Sequence, residues 1–305
     1  MLFDASTDLD SLIARALAED VATGDVTTLA TIPAERAATA TFLVKEDGVL
    51  AGCRVAARVF ETVDASLAVT WTAADGDPVA AGTRAGTVTG AARSVLTAER
   101  LALNLMQRMS GIATATRRMV DAARTTNPAV EILDTRKTVP GLRLLDKEAV
   151  RLGGGTNHRV GLYDMVLIKD NHIEAAGGLE AALRAAHAYL DAHDLALEIE
   201  VEVRTLDEVD RLVALIDGGL RVDRALLDNM VVRHAKGSSD TALFDTTMLA
   251  EAVRRIAGRT ATEASGNVTL ASVAQIAATS VTHISSGALT HSVRALDISL
   301  KVGLA

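Results

Sequence analysis

Along the last two thirds of the chain, short apolar runs alternate with runs that have helical spacing. Strands are predicted at 131–134, 165–169, 197–203, 224–228, 260–263 and 283–286. Helices are predicted near 145–152, 178–190, 206–216, 246–257 and 269–278. This repeated βα rhythm predicts a parallel sheet, and the pattern alone does not separate an open sheet from a barrel. Before Gly111 the rhythm differs. Residues 37–90 are β-rich, with strands at 39–44, 67–71 and 84–90 and a helix at 55–63. Ile13 and Leu17, four apart, mark a helix over 10–18. Val95, Leu96, Leu103, Leu105 and Met106 give 94–109 an apolar helical face. Between them, 19–28 is a polar loop. Its acids could hold a metal, but a turn with local side-chain caps is the plainer reading. The division expected is 1–111, 112–288, and a C-terminal helix or tail, 289–305, packing back on the first part.

Polar residues punctuate the second part at regular places. Lys169, Glu202, Asp228, Glu263 and Ser286 each fall at or near the C-terminal end of a predicted strand, the layout of a (β/α) barrel active site. Ser265-Gly266-Asn267 and Ser286-Gly287-Ala288 close the last two strands, and small residues before a helix N-terminus suit a phosphate. Glu200 and Glu202 alternate on one strand, so both point to its inner face, where each needs a partner.

Composition narrows the class. The chain has 305 residues, 49% hydrophobic, enough for one large core or two smaller ones. Aromatics are only 2% and net charge is −8, which argues against a nucleic-acid surface. Cys53 is the only cysteine, so no internal disulfide is possible, in keeping with a reducing cytoplasm; a small buried hydrophobe is its expected role. No signal peptide and no membrane span are apparent.

Against that acidic total, 134–172 carries seven Lys/Arg against five Asp/Glu and three of the six lysines. Basic residues clustered against the overall sign suggest a site for a multiply charged anion. Thr135-Arg136-Lys137 follows one strand directly, Pro140-Gly141 turns the chain, and Gly153-Gly154-Gly155 is a run that can bring backbone N–H groups to a ligand. Asn157-His158-Arg159 comes next, and Lys169-Asp170-Asn171-His172 ends the following strand. No P-loop and no two-His zinc motif is present. The inventory suits a substrate with carboxylates on one part and a phosphorylated sugar on another.

Seven ordered motifs, DTRKTVPGLR, GGGTNHR, LIKDNH, IEVEV, LLDNM, EASGN and SGALTHS, resemble the quinolinate phosphoribosyltransferase family over nearly the whole chain. Ser286 stands where a larger apolar residue is common, and 217–224 and 231–245 look longer than usual. The resemblance implies an N-terminal α/β sandwich beside an incomplete (β/α) barrel of the type II phosphoribosyltransferase kind, in a homodimer. It implies that quinolinate and phosphoribosyl pyrophosphate give nicotinate mononucleotide, pyrophosphate and CO2 with Mg2+, a step of NAD biosynthesis. By matching motif, Arg100, Arg136, His158, Arg159 and Lys169 would hold quinolinate, with Arg100 reaching the partner subunit's site. Lys137 would lie near the pyrophosphate. Glu202 and Asp228 would bind the ribose hydroxyls and Mg2+, and Ser265, Gly266, Asn267, Ser286 and Gly287 the 5′-phosphate. Three rivals have discriminators. A paralogue associated with molybdenum transport is disfavoured by the full cationic set. A Schiff-base aldolase would use Lys169. A non-enzymatic anion-binding module would not need Glu202 and Asp228.

Overall fold

The computed structural model describes residues 6–233 and 244–304. Most of the longer segment at 231–245 therefore lies outside the described residues. The chain forms two compact units. The first comprises 1–117, 138–154 and 289–305, the second 118–137 and 155–288. Neither boundary coincides with residue 111.

In the first unit, α1 (Ser6–Val21) leads through a short turn to α2 (Val26–Thr31). Asp25 caps α2 by accepting from the Thr28 N–H at 3.0 Å. The stretch predicted as a loop over 19–28 is therefore mostly helical, with Glu19 and Asp20 in α1 and 26–28 in α2. Strands β1 (Ala37–Val44), β2 (Gly48–Val49), β3 (Ala68–Trp71), β4 (Pro78–Val79) and β5 (Arg84–Ala91) follow, with α3 (Cys53–Val63) between β2 and β3. The main sheet places the C-terminal strand Ile298–Leu304 beside β1, then β5 and β3, all antiparallel. The C-terminal tail thus packs back on the first unit as an edge strand. Alternation along β1 buries Ala38, Ala40, Phe42 and Val44 on one face. Val55, Ala56, Val59 and Phe60 bury one face of α3, and the Phe60 ring meets that of Phe42 edge-on at 6.0 Å. A helix layer on an antiparallel sheet is the α/β sandwich. Cys53 is buried at the start of α3, where burial pushes its thiol pKa up, which makes it inert.

Helix α4 (Ala92–Arg124) is twice as long as the pattern predicts. Gly111 reads as a stop, yet the helix continues because packing decides there. A Cβ on Gly111 would run into the Arg294 carbonyl and crowd Ala295. Ser110 and Thr114 on the same face accept the N–H groups of Ala51 and Val49, both at 2.9 Å. Helix α5 (Arg143–Leu152) follows a turn in which Gly141 takes φ 83°. Its fully buried Asp146 receives both nitrogens of a bidentate Arg108 fork at 2.7 and 2.8 Å. Gly153, expected to approach a ligand, instead lets α5 end against Ala113 and Thr116 of α4.

The second unit has a six-stranded parallel sheet. Its strands are β6 (Glu131–Leu133), β7 (Val166–Ile168), β8 (Ile199–Val203), β9 (Arg224–Asp228), β12 (Ala261–Ser265) and β13 (His283–Ser285). The short β10 (Val232–Arg233) and β11 (Phe244–Asp245) pair separately. Helices α6 (Asp170–Ala176), α7 (Leu179–Ala192), α8 (Leu206–Asp217), α9 (Thr247–Ile256) and α10 (Val273–Ala277) intervene, and α11 (Ala288–His291) follows the last strand. All five residues of β8 are buried, as a strand covered on both faces requires. The order is β6-β13-β12-β9-β8-β7, so consecutive β6 and β7 stand at opposite edges without pairing. Residues following both edge strands line one cavity, so the sheet curves around it as an incomplete barrel. Strand β12 reaches Ser265, two residues beyond its predicted end. Among the described residues no helix is long and apolar enough to cross a membrane.

Gly111→Ala tests the packing account. In an exposed helix interior this change stabilises by about 1 kcal/mol. Here the added methyl meets backbone, and a loss of roughly 1–3 kcal/mol is expected. A raised unfolding midpoint would contradict it.

Candidate active site

The C-terminal strand ends of the second unit surround a cavity of about 720 Å³. Thr135, Arg136 and Lys137 reach it from the end of β6, Lys169 from β7, Glu202 from β8, Asp228 from β9, Ser265 from β12 and Ser285 from β13. His158 and Arg159 enter from the loop before β7. Of the residues read from the sequence, Arg136, Lys137, His158, Arg159, Lys169, Glu202, Asp228 and Ser265 are thereby brought together. Arg100 is exposed on α4 in the first unit. Gly266, Asn267, Ser286 and Gly287 adjoin the cavity in sequence but do not line it. Gly266 and Asn267 turn the chain with φ 88° and 56°, and Ser286 is buried, its hydroxyl donating to the Val268 carbonyl at 3.4 Å. The sequence motifs include Asp170 without a role and do not single out Arg204, Asn229 or Ser285. Arg204 directly follows β8, so the strand-end rule applied one residue further would have found it.

The loop carrying His158 and Arg159 is held from below. Asp134 is fully buried and accepts from Asn157 Nδ2 at 2.6 Å and from the His158 N–H at 2.9 Å. The His158 ring then points Nε2 at two buried carboxylates, 2.9 Å from Glu200 Oε2 and 3.4 Å from Glu263 Oε2. Arg224 supplies a second cation to Glu263 at 3.0 Å. Both Glu200 oxygens and Glu263 Oε1 lack an aligned hydrogen bond, so His158 compensates Glu200 by charge at close range. Donor atoms of His158, Glu200 and Glu263 lie within 4.8 Å of one another, a spacing a metal could use. His158 and Arg224 already balance the charge there.

Burial opposes a second proton on His158, but Glu200 and Glu263 outweigh it and lift the imidazolium pKa to about 9. In the neutral ring Nδ1 accepts from the Arg159 N–H at 2.7 Å. Burial raises Glu200, and the charge on Glu263 adds to the rise. Burial would also neutralise Glu263, but His158, Ser285 and Arg224 hold it ionised, below the ordinary range.

Higher up, the cavity wall is a crowd of cations. Arg159 is lowered by burial and by neighbouring Arg136, and the buried Arg136 Nε has no hydrogen-bond partner. Such a wall is stabilised by an anion. Facing it, Glu202 is raised by burial and then by Asp228, two acids that favour a cation between them. Lys169 Nζ lies 3.9 Å from Glu202 Oε2. Carboxylate oxygens of this kind suit Mg2+.

The His158 shift has a stability consequence. Its folded pKa is raised, so its contribution is complete below about 6.5 and lost as pH rises through about 9. The raised Glu200 acts in the same sense at lower pH. Urea unfolding should show a loss of about 2–3 kcal/mol between pH 6.5 and 9, and a flatter profile in His158→Gln. Equal wild-type stability at both ends would contradict the assignment.

Residues 25–110 match the family model described as the N-terminal domain of quinolinate phosphoribosyl transferase, and 112–301 match its C-terminal domain. A relative from Arabidopsis thaliana, named nicotinate-nucleotide pyrophosphorylase (carboxylating), chloroplastic, is 54% identical over 297 residues, covering 97% of this chain and 83% of the relative. A protein of the same name, without the location, from Mycobacterium leprae is 44% identical over 302 residues, covering 98% and 97%. The crystal structure of NadC from Streptococcus pyogenes superposes with a TM-score of 0.86 at 36% identity, covering 97% of each chain. With both of its domain models matched in order and the strand-end residues gathered in one cavity, the chain belongs to the quinolinate phosphoribosyltransferase family.

Proposed function

We propose that this chain transfers the phosphoribosyl group of phosphoribosyl pyrophosphate to quinolinate, releasing pyrophosphate and CO2 and giving nicotinate mononucleotide for NAD biosynthesis. The observation that carries the reading is the division of one cavity into a cationic wall, Arg136, Lys137, His158, Arg159 and Lys169, and an acidic one, Glu202 and Asp228. Quinolinate presents two adjacent carboxylates, and planar guanidinium forks bind carboxylates bidentately. Arg136, Arg159, His158 and Lys169 hold them. Lys137 meets the departing pyrophosphate. Glu202 and Asp228 accept the ribose hydroxyls and favour the positive charge that develops on the sugar. The same two acids would hold Mg2+, which when bound supplies charge neutralisation to the diphosphate. Negative charge left at the ring carbon by CO2 loss is stabilised by the cations around it. Ser265, with the turn residues Gly266 and Asn267, and Ser286 with Gly287, hold the 5′-phosphate at the ends of β12 and β13. A cytoplasmic location belongs to the same proposal and rests on the lone buried Cys53.

The aldolase reading loses support. A Schiff-base lysine needs a desolvated amine, whereas the Lys169 side chain is 48% exposed and near Glu202. Incubation with quinolinate, phosphoribosyl pyrophosphate and Mg2+ should yield nicotinate mononucleotide. Nicotinate, with one carboxylate, should be a poor substrate, because it leaves the half-buried Arg136 and Arg159 short of one carboxylate partner. Equal turnover of the two acids would overturn the carboxylate assignment.

Arg100 completes the proposal through a homodimer in which each site borrows this arginine from the partner subunit. It is exposed. Burial raises the pKa of Glu99, and the charge of Arg100 lowers it. Arg100→Ala and Lys137→Ala should each be inactive alone. After dissociation and reassociation together, half the dimers are mixed and carry one intact site, so roughly a quarter of wild-type activity should return. No recovery despite demonstrated subunit exchange would place Arg100 outside the shared site.

A further inference from the structure

Arg204 lines the cavity, and none of the roles above uses it. It follows β8, and its backbone N–H donates to Glu208 Oε2 at 2.6 Å, where Thr205 and Glu208 form the capping box of α8. From this anchored backbone the guanidinium turns to three carboxylates. It lies 2.7 Å from Asp170 Oδ2, 2.8 Å from Glu202 Oε1 and 3.5 Å from Asp228 Oδ2. An exposed pair with a single acid contributes little. Here one cation serves three acids at once, two of which are those assigned to a divalent cation and the ribose hydroxyls. Glu202 is buried with Asp228 beside it, so the pair needs positive charge whether or not substrate is present. The guanidinium meets that need in the free protein. It is also the group best matched in shape to a diphosphate, through two parallel N–H···O bonds.

We infer that Arg204 is a further ligand for the diphosphate of phosphoribosyl pyrophosphate, held on Glu202, Asp228 and Asp170 until a divalent cation displaces it. The inference rests on Glu202 and Asp228 being the cation-holding acids. In the free protein Arg204 competes with the cation. In the loaded protein it exchanges carboxylate oxygens for diphosphate oxygens, so the acids take the metal while the arginine takes the anion that accompanies it.

The test uses the full-length chain with Arg204→Met, which keeps length and removes charge, and with Arg204→Lys, which keeps charge and removes the fork. Arg211→Met, at an exposed position of α8 that does not line the cavity, is the control. Circular dichroism and unfolding midpoints establish folding. Mn2+ binding without substrate is followed by electron paramagnetic resonance, and phosphoribosyl pyrophosphate binding with saturating Mg2+ by calorimetry. Arg204→Met should bind Mn2+ about fivefold or more tightly than wild type, since a competing cation is gone. It should bind phosphoribosyl pyrophosphate about tenfold or more weakly. Arg204→Lys should keep near wild-type Mn2+ affinity and still bind the diphosphate more weakly. Arg211→Met should change neither. Unchanged or weaker Mn2+ binding in Arg204→Met, or unweakened diphosphate binding in both Arg204 variants, overturns the inference. Wild-type Mn2+ binding that survives Glu202→Gln unaltered also overturns it, and locates the error in the assignment of the acids rather than in Arg204.

Discussion

Two carboxylates buried beneath a cationic wall set the terms for the cavity. Glu200 is fully buried and Glu263 nearly so, and between them they have His158 and Arg224 as compensating charges. Removing one member of such a group leaves an uncompensated buried charge, typically at 3–5 kcal/mol. The His158 ring is therefore fixed from two directions: its backbone by Asp134 and its Nε2 by the carboxylates.

Strand order sorts the charges. The cations following β6 and β7 come from opposite edges of the sheet, and the acids Glu202 and Asp228 come from neighbouring β8 and β9. Only curvature of the sheet brings the two edges to one cavity. Opposite charges thus meet at close range in one cavity, cations from the two edge strands and acids from two neighbouring ones. The incomplete ring is compatible with this, because the unpaired edges β6 and β7 are the ones that carry the cations.

The first unit relies on close approach rather than bulk. With aromatics at 2% of the chain, its core joins Phe42 to Phe60 and to Trp71, the latter at 4.7 Å, among Ala, Val and Leu. Close approach then matters more. Gly111 on α4 admits the Arg294–Ala295 backbone, and Gly153 admits α4 to the end of α5. In each case a missing Cβ performs what a large side chain does elsewhere, which is to remove empty space.

Much of this was legible in the chain alone. Periodicity determined the βα repeat, the strand-rich first part and the C-terminal strand ends where polar groups collect, because side-chain period follows backbone geometry directly. The motifs DTRKT, NHR and KDNH placed the cations, and eight of the thirteen residues given a site role from the sequence line the cavity. What sequence did not determine depends on contacts between distant segments. Gly111 reads locally as a helix stop, and only its fit against 294–295 keeps α4 running to Arg124. The C-terminal strand has no pattern of its own that names β1 as its neighbour. Gly153, the first of the glycine run, packs against α4. Glu200 and Glu202, equivalent on the strand, diverge because His158 and Arg224 surround one and Lys169, Arg204 and Asp228 the other. Local geometry sets which way a side chain points, and the segments folded against it decide what it meets there.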